Sequence, residues 1–196
     1  MIRSFIAIDL EPAARARLDE VQERFRSEWG RESIRWVRPD AIHLTLKFLG
    51  SRTADDLDKI SALLETLAVR ATVYHLTITG VGCFPDARNP RVVWAGVEEK
   101  SGRLVEWARM LDESLEKLGI EPERRAFRPH LTLGRFKNRL SSEGQPRWEA
   151  RMAALKSEVI AESRATTVDL IRSDLRPEGP VYTVLKQARL GGGVEP

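Results

Sequence analysis

The sequence predicts an α+β fold: two pseudo-twofold-related lobes of mostly antiparallel sheet, flanked by helices, with an active-site cleft between them. Three observations predict it. Strand-like and helix-like segments run in the order β-α-β-β-α-β-β-α-β-α-β-β, without the strict βαβ alternation of a doubly wound sheet. No glycine-rich phosphate loop opens a helix, because Gly80-Val81-Gly82 lacks a third glycine and a following helix, and Gly191-Gly192-Gly193 lies in the tail. The tetrapeptide His-Leu-Thr-Leu occurs twice, starting at His43 and at His130, about half the chain apart.

The elements follow from periodicity. Residues 4–10 are briefly apolar and then meet Asp9, Glu11 and Pro12, so they read as a first strand and not as a signal peptide. Residues 12–29 carry Ala14, Leu18, Val21 and Phe25 at helical spacing, with a proline at the start. Residues 34–37 and 42–49 are β-branched or aromatic and bounded by polar residues or proline. Residues 54–68 repeat Leu57, Ile60, Leu63, Leu64 and Leu67, with Thr53 as N-cap. Residues 72–81 alternate like a half-buried strand, and 91–97 form the next one. Residues 101–118 repeat Leu104, Trp107, Ala108, Leu111 and Leu115, capped by Ser101 and stopped by Gly119. A strand at 130–136, a surface loop at 141–146 and a helix at 148–160 on Met152, Leu155 and Val159 come next. Strands at 166–173 and 181–190 complete a single bilobal domain over 1–190, and 191–196 read as a disordered tail.

Composition narrows the function. No stretch is long and apolar enough to span a bilayer, so no membrane is expected as a partner. Cys83 is the only cysteine, which excludes an internal disulfide and any multi-cysteine metal site and suits the cytoplasm. The formal charge is +3 on 32 basic and 29 acidic residues. That tolerates an anionic ligand without implying a broad nucleic-acid surface.

The repeat carries the chemistry. In an extended strand, side chains two apart share a face. His43, Thr45 and Lys47 then line one face, with Leu44, Leu46 and Phe48 on the other. His130 and Thr132 line the equivalent face of the second copy. Two imidazoles near neutrality can divide the roles of base and acid. The hydroxyls can donate to phosphoryl oxygens while a nearby cation offsets charge. A phosphodiester, attacked without a metal, fits this set.

At this point the residues resemble the 2H phosphoesterase superfamily, whose mark is a pair of His-x-Thr-x motifs. The flanks Trp36-Val37, Lys47-Phe48-Leu49-Gly50, Gly80-Val81-Gly82-Cys83-Phe84-Pro85, Arg91-Val92-Val93-Trp94-Ala95-Gly96 and Pro129 to Arg135 look like its RNA 2′,3′-cyclic phosphodiesterase branch, also called the 2′-5′ RNA ligase family. The resemblance runs from Ser4 to about Leu190. It implies hydrolysis of an RNA 2′,3′-cyclic phosphate end, such as that of a tRNA fragment, to a 2′-phosphomonoester, with no cofactor and no metal. It implies His43 as proton donor, His130 as proton acceptor, and Thr45 and Thr132 as phosphate ligands. Arg135 matches an often basic position. Strict alternation puts it on the core face, unless Gly134 hosts a bulge that re-aims it. Lys47 has the parity of a substrate contact.

Other residues read as structural. His75 also heads a His-x-Thr pattern but lacks the Arg-Pro entry of the other two frames. Trp107 and Trp148 sit on helical apolar stripes, Trp36 and Trp94 lean towards the core, and Phe84-Pro85 shapes the cleft rim. Cys83 has no base beside it. Alternatives stay open at this level: a non-catalytic nucleotide-binding module, a metal enzyme using both histidines, a phosphodiesterase for 2′-5′ oligonucleotides or nucleotide-derived cyclic phosphates, or reversible 2′-5′ ligation. Nothing demands a dimer, so a monomer is expected.

Overall fold

The computed structural model describes residues 1–29, 33–177 and 179–191. Among them, nine strands and four α-helices follow one another: β1 Ile2–Ile8, α1 Pro12–Trp29, β2 Ile34–Trp36, β3 Leu44–Arg52, α2 Ala54–Ala68, β4 Tyr74–Phe84, β5 Val92–Glu98, α3 Arg103–Glu116, β6 His130–Phe136, α4 Gly144–Ala154, β7 Val159–Ala165, β8 Thr167–Arg176 and β9 Gly179–Arg189. The sheet order is β7-β4-β5-β6-β3-β1-β8-β9, with β2 also paired to β6. Every pairing is antiparallel.

The path is pinched at its middle. β3 and β6 pair through one residue pair, Leu44 with Leu131. On one side β3, β1, β8 and β9 are backed by α2 and α3. On the other side α1 packs on β7, and Trp148 of α4 packs its ring against Phe25, Trp29 and Phe136. Trp148 is fully buried, and an indole that size contributes about 3–5 kcal/mol against truncation to alanine. Among the described residues no helix is long and apolar enough to cross a membrane.

The helices form where periodicity places them. α1 starts at Pro12, whose missing N–H costs nothing in the first turn, and buries Ala14, Leu18, Val21, Gln22 and Phe25. Thr53 caps α2 in a reciprocal capping box with Asp56. Gly119 takes φ +78° just past α3, the left-handed turn that ends a helix.

Three differences from the sequence reading go beyond a shift of a few residues at an element's end. Ser101 is not the cap of α3. Gly102 holds that position, and the carboxylate of Glu99 accepts the Leu104 N–H at 3.2 Å. The fourth helix begins inside the expected 141–146 loop and ends at Ala154, so 155–160 are not helical. Val159 only mimicked a helical phase. It is exposed at the head of β7, whose Ile160, Ser163 and Ala165 are buried, and β7 pairs with β4. At the C-terminus, the Gly191 N–H donates to the Ala68 carbonyl at 3.2 Å, so the chain is anchored through residue 191. The rest of the expected tail, 192–196, lies outside the described residues.

Candidate active site

The Leu44–Leu131 pair builds the site. Both leucines are fully buried on the helix side of the sheet. Their neighbours His43, Thr45, His130 and Thr132 must therefore face the other way, and all four are half-buried. In an antiparallel pair centred on 44 and 131, His43 falls opposite Thr132 and Thr45 opposite His130. The two strands thus offer imidazole and hydroxyl in a diagonal set of four, related by the local twofold between the leucines.

Each imidazole is held the same way. His43 Nδ1 donates to the Ala41 carbonyl at 2.9 Å, and His130 Nδ1 donates to the Arg128 carbonyl at 2.7 Å. A carbonyl can only accept, so the proton sits on Nδ1 and Nε2 is the nitrogen left for chemistry. In each copy the carbonyl belongs to the residue two before the histidine: Ala41 ends the short 3-10 turn Pro39–Ala41, and Arg128 directly precedes Pro129.

Aromatic rings fix the imidazole planes. His43 stacks on Phe5 at 4.7 Å between centroids and meets Tyr182 edge-on at 5.2 Å. Ala7, paired with Thr45, belongs to the same small buried cluster as Phe5. His130 meets Phe84 edge-on at 5.2 Å and Trp94 at 6.4 Å. Trp94 in turn lies over Gly82, where a Cβ would stand 2.3 Å from the indole.

Electrostatics acts on His43. Burial lowers the His43 pKa below its ordinary value of 6.5. The Ala41 carbonyl works against that, and the nearby Arg15 guanidinium adds to it. Arg15 itself is paired with Asp9. Burial also raises the Tyr182 phenol, while the Arg135 and Arg3 cations pull it part of the way back. Arg135 therefore lies within electrostatic reach of the ring that borders His43.

Two β-bulges decide the remaining residues. On β3 the register passes from Thr45–Ala7 to Lys47–Ile6, leaving Leu46 unpaired. The extra residue reverses the alternation. Lys47 is consequently not in the cleft, contrary to the parity expectation. Only 7% exposed, it pairs with Asp112 of α3 and donates to the Glu121 carbonyl at 2.8 Å. Phe48 takes the cleft face instead, at 66% exposure. On β6 the register passes from Thr132–Trp94 to Gly134–Val93, leaving Leu133 unpaired. Here the same reversal puts the exposed Arg135 on the cleft face. The bulge sits at Leu133 and not at Gly134. Its freed carbonyl accepts from Val37 N–H at 2.9 Å and from Gln22 Nε2 at 2.8 Å.

The LigT like Phosphoesterase profile matches this sequence twice, over residues 8–94 and 96–182, one His-Leu-Thr-Leu in each match. The chain belongs to the LigT-like phosphoesterase family. Among its relatives is an RNA 2′,3′-cyclic phosphodiesterase of Thermus thermophilus, 37% identical over 97% of this chain and 91% of that one. The crystal structure of TT0787 from Thermus thermophilus superposes with a TM-score of 0.78 at 32% identity, covering 96% of this chain and 98% of that one. E. coli LigT complexed with 3′-AMP superposes with a TM-score of 0.72 at 27% identity, covering 96% and 98%.

In this LigT-like phosphoesterase the double match coincides with the pinch in the sheet, each half bringing one imidazole and one hydroxyl to the shared face. His75 stands away from them, exposed on β4 opposite Arg164. Cys83 is half-buried, and burial pushes its thiol pKa up, which does not suit a nucleophile. Among the described residues no group of three or more His, Cys, Asp or Glu could hold a metal ion. Phe5, Tyr182, Arg15 and Gln22 were not singled out from the sequence. Their contacts join elements far apart in the chain, and no local pattern announces such contacts.

Proposed function

We propose that this LigT-like phosphoesterase hydrolyses the 2′,3′-cyclic phosphate at an RNA end to a 2′-phosphomonoester, without a metal, using His43 and His130 as acid and base. The observation that supports it most is the set of two imidazoles and two threonine hydroxyls on one face, both imidazoles anchored through Nδ1. The names of the relatives point to the same substrate.

Water attacks phosphorus and His130 Nε2 takes its proton. The P–O3′ bond breaks, the electron pair stays on O3′, and His43 Nε2–H protonates it. The product carries a 2′-phosphate and a free 3′-hydroxyl. Thr45 and Thr132 donate to the non-bridging oxygens that gather charge, and Arg135, farther along the same face, adds a positive field that draws in the anionic substrate. Each proton transfer contributes on the order of 10²–10⁴ in rate.

As donor, His43 must be protonated, whereas burial disfavours that form in the free protein. The monoanionic cyclic phosphate supplies the missing counter-charge, so substrate charges its own acid. Phosphorus NMR of the product from a short oligonucleotide ending in a 2′,3′-cyclic phosphate tests the reading. It predicts a 2′-phosphate, formed equally well with excess chelator. A 3′-phosphate, or activity abolished by chelator and restored by zinc, would refute it.

A further inference from the structure

The outer edge of β6 is shared. β3 pairs with its start at Leu131, and β2 takes over beyond the bulge, with Ile34, Arg35 and Trp36 opposite Phe136, Arg135 and Gly134. Arg35 is thus directly across from Arg135. A Cβ on Gly134 would stand 2.7 Å from Ile34 Cγ2 and 3.0 Å from the Trp36 ring, which places those two side chains on the helix side. Arg35 and Arg135 must then share the cleft face, and both are exposed.

Two like charges directly opposite on a ladder repel. Neither guanidinium has an ion-pair partner among the described residues. Other arginines do have such partners: Arg15, Arg17, Arg24, Arg26, Arg38, Arg109, Arg124, Arg151 and Arg172 all face a carboxylate. Arg135 follows Thr132 by three residues, about 7–10 Å of strand. An anion held between the two arginines would sit one nucleotide step from a phosphate on Thr132. The equivalent position past Thr45 on β3 offers no such charge. There the bulge turns Lys47 inward and leaves Phe48 on the surface.

We propose that Arg35 and Arg135 form a second phosphate site, which clamps the phosphodiester on the 5′ side of the terminal nucleotide. This rests on the reading of the substrate as a 2′,3′-cyclic RNA end. Such an end is a 3′ terminus, so the chain continues only in the 5′ direction, and the neighbouring anion must be that linkage. The preferred substrate is then an oligonucleotide and not a cyclic mononucleotide. Two planar guanidinium forks suit the two non-bridging oxygens of a diester.

The test compares three substrates: a 2′,3′-cyclic mononucleotide, a dinucleotide with the same end, and that dinucleotide with an uncharged methylphosphonate linkage. The natural dinucleotide should exceed the other two in kcat/KM by roughly tenfold. Arg35→Gln should remove that advantage and leave the mononucleotide rate unchanged. It should also shrink the slope of log kcat/KM against log salt by about 0.7, the release from one single-strand phosphate. Equal turnover of charged and neutral dinucleotides by the unmodified protein would overturn the second site, even if the variant failed to fold. So would an equal loss on mononucleotide and dinucleotide in Arg35→Gln. Turnover of none of the three substrates would instead overturn the proposed function, and this inference with it.

Discussion

Replacing Lys47 with methionine separates two roles that the same residue could have. The ammonium is buried, paired with Asp112, and bonded to the Glu121 carbonyl at 2.8 Å. Methionine keeps most of the apolar stem and deletes the charge. Breaking a buried pair by removing one partner costs about 3–5 kcal/mol. Asp112 retains 20% of its side-chain exposure and still accepts the Glu123 N–H at 2.9 Å, which softens the loss. An estimate of about 2–3 kcal/mol follows. For a domain of this size each kcal/mol moves Tm by roughly 2–4 °C, so Tm should fall by about 4–12 °C. Thermal melting by circular dichroism reads the loss, and steady-state kinetics at 25 °C should show KM unchanged. An unchanged Tm with KM raised tenfold would show that Lys47 contacts substrate, and would refute the bulge argument that turns it away from the cleft.

Other predictions follow from the site. Gly82→Ala drives a methyl into the Trp94 ring, and should cost about 1–3 kcal/mol and lower turnover through the displaced His130 neighbourhood. Tryptophan fluorescence and melting check it, and a neutral variant would contradict it. Gln22→Leu removes the amide that donates at 2.8 Å to both Val37 and Leu133 carbonyls, and should destabilise by about 1–3 kcal/mol. Because that bulge aims Arg135, KM should rise more than kcat falls, whereas an equal change in both would argue against a positioning role. His43 has its pKa lowered below 6.5 by burial, so at pH 7 it is neutral in the free protein, and a bound anion raises it. Binding of inorganic sulfate, an anion that does not itself titrate near pH 7, should therefore take up protons. Calorimetry in buffers of different ionisation enthalpy measures this, and proton release would contradict the sign.

The sequence shows where the helices are because their apolar residues recur at a fixed spacing. α1 and α2 begin and end where Pro12, Thr53 and the leucine repeats place them. Residues 148–160 mislead because Met152, Leu155 and Val159 keep a helical phase across the turn into β7, where pairing with β4 prevails over local periodicity. Strand parity places His43, Thr45, His130 and Thr132 on one face because it is applied before either bulge. It fails at Lys47, one residue past Leu46, because a bulge is set by what the partner strand and the helix behind it require. Arg135 reaches the cleft by the same device at Leu133, held by a glutamine more than a hundred residues away in sequence. The aromatic walls were hidden for a related reason: Phe5 and Tyr182 reach His43 from strands at opposite ends of the chain.

The central claim is that two imidazoles transfer the protons, one on each side of phosphorus. Single-turnover hydrolysis of a 2′,3′-cyclic-phosphate oligonucleotide by the unmodified protein, His43→Ala and His130→Ala tests it most directly. Each variant should melt cooperatively and lose on the order of 10²–10⁴ in rate. The unmodified protein should give a bell-shaped dependence on pH, and each variant should lose one limb of it. A well-folded variant of either histidine that keeps the full single-turnover rate would contradict the account.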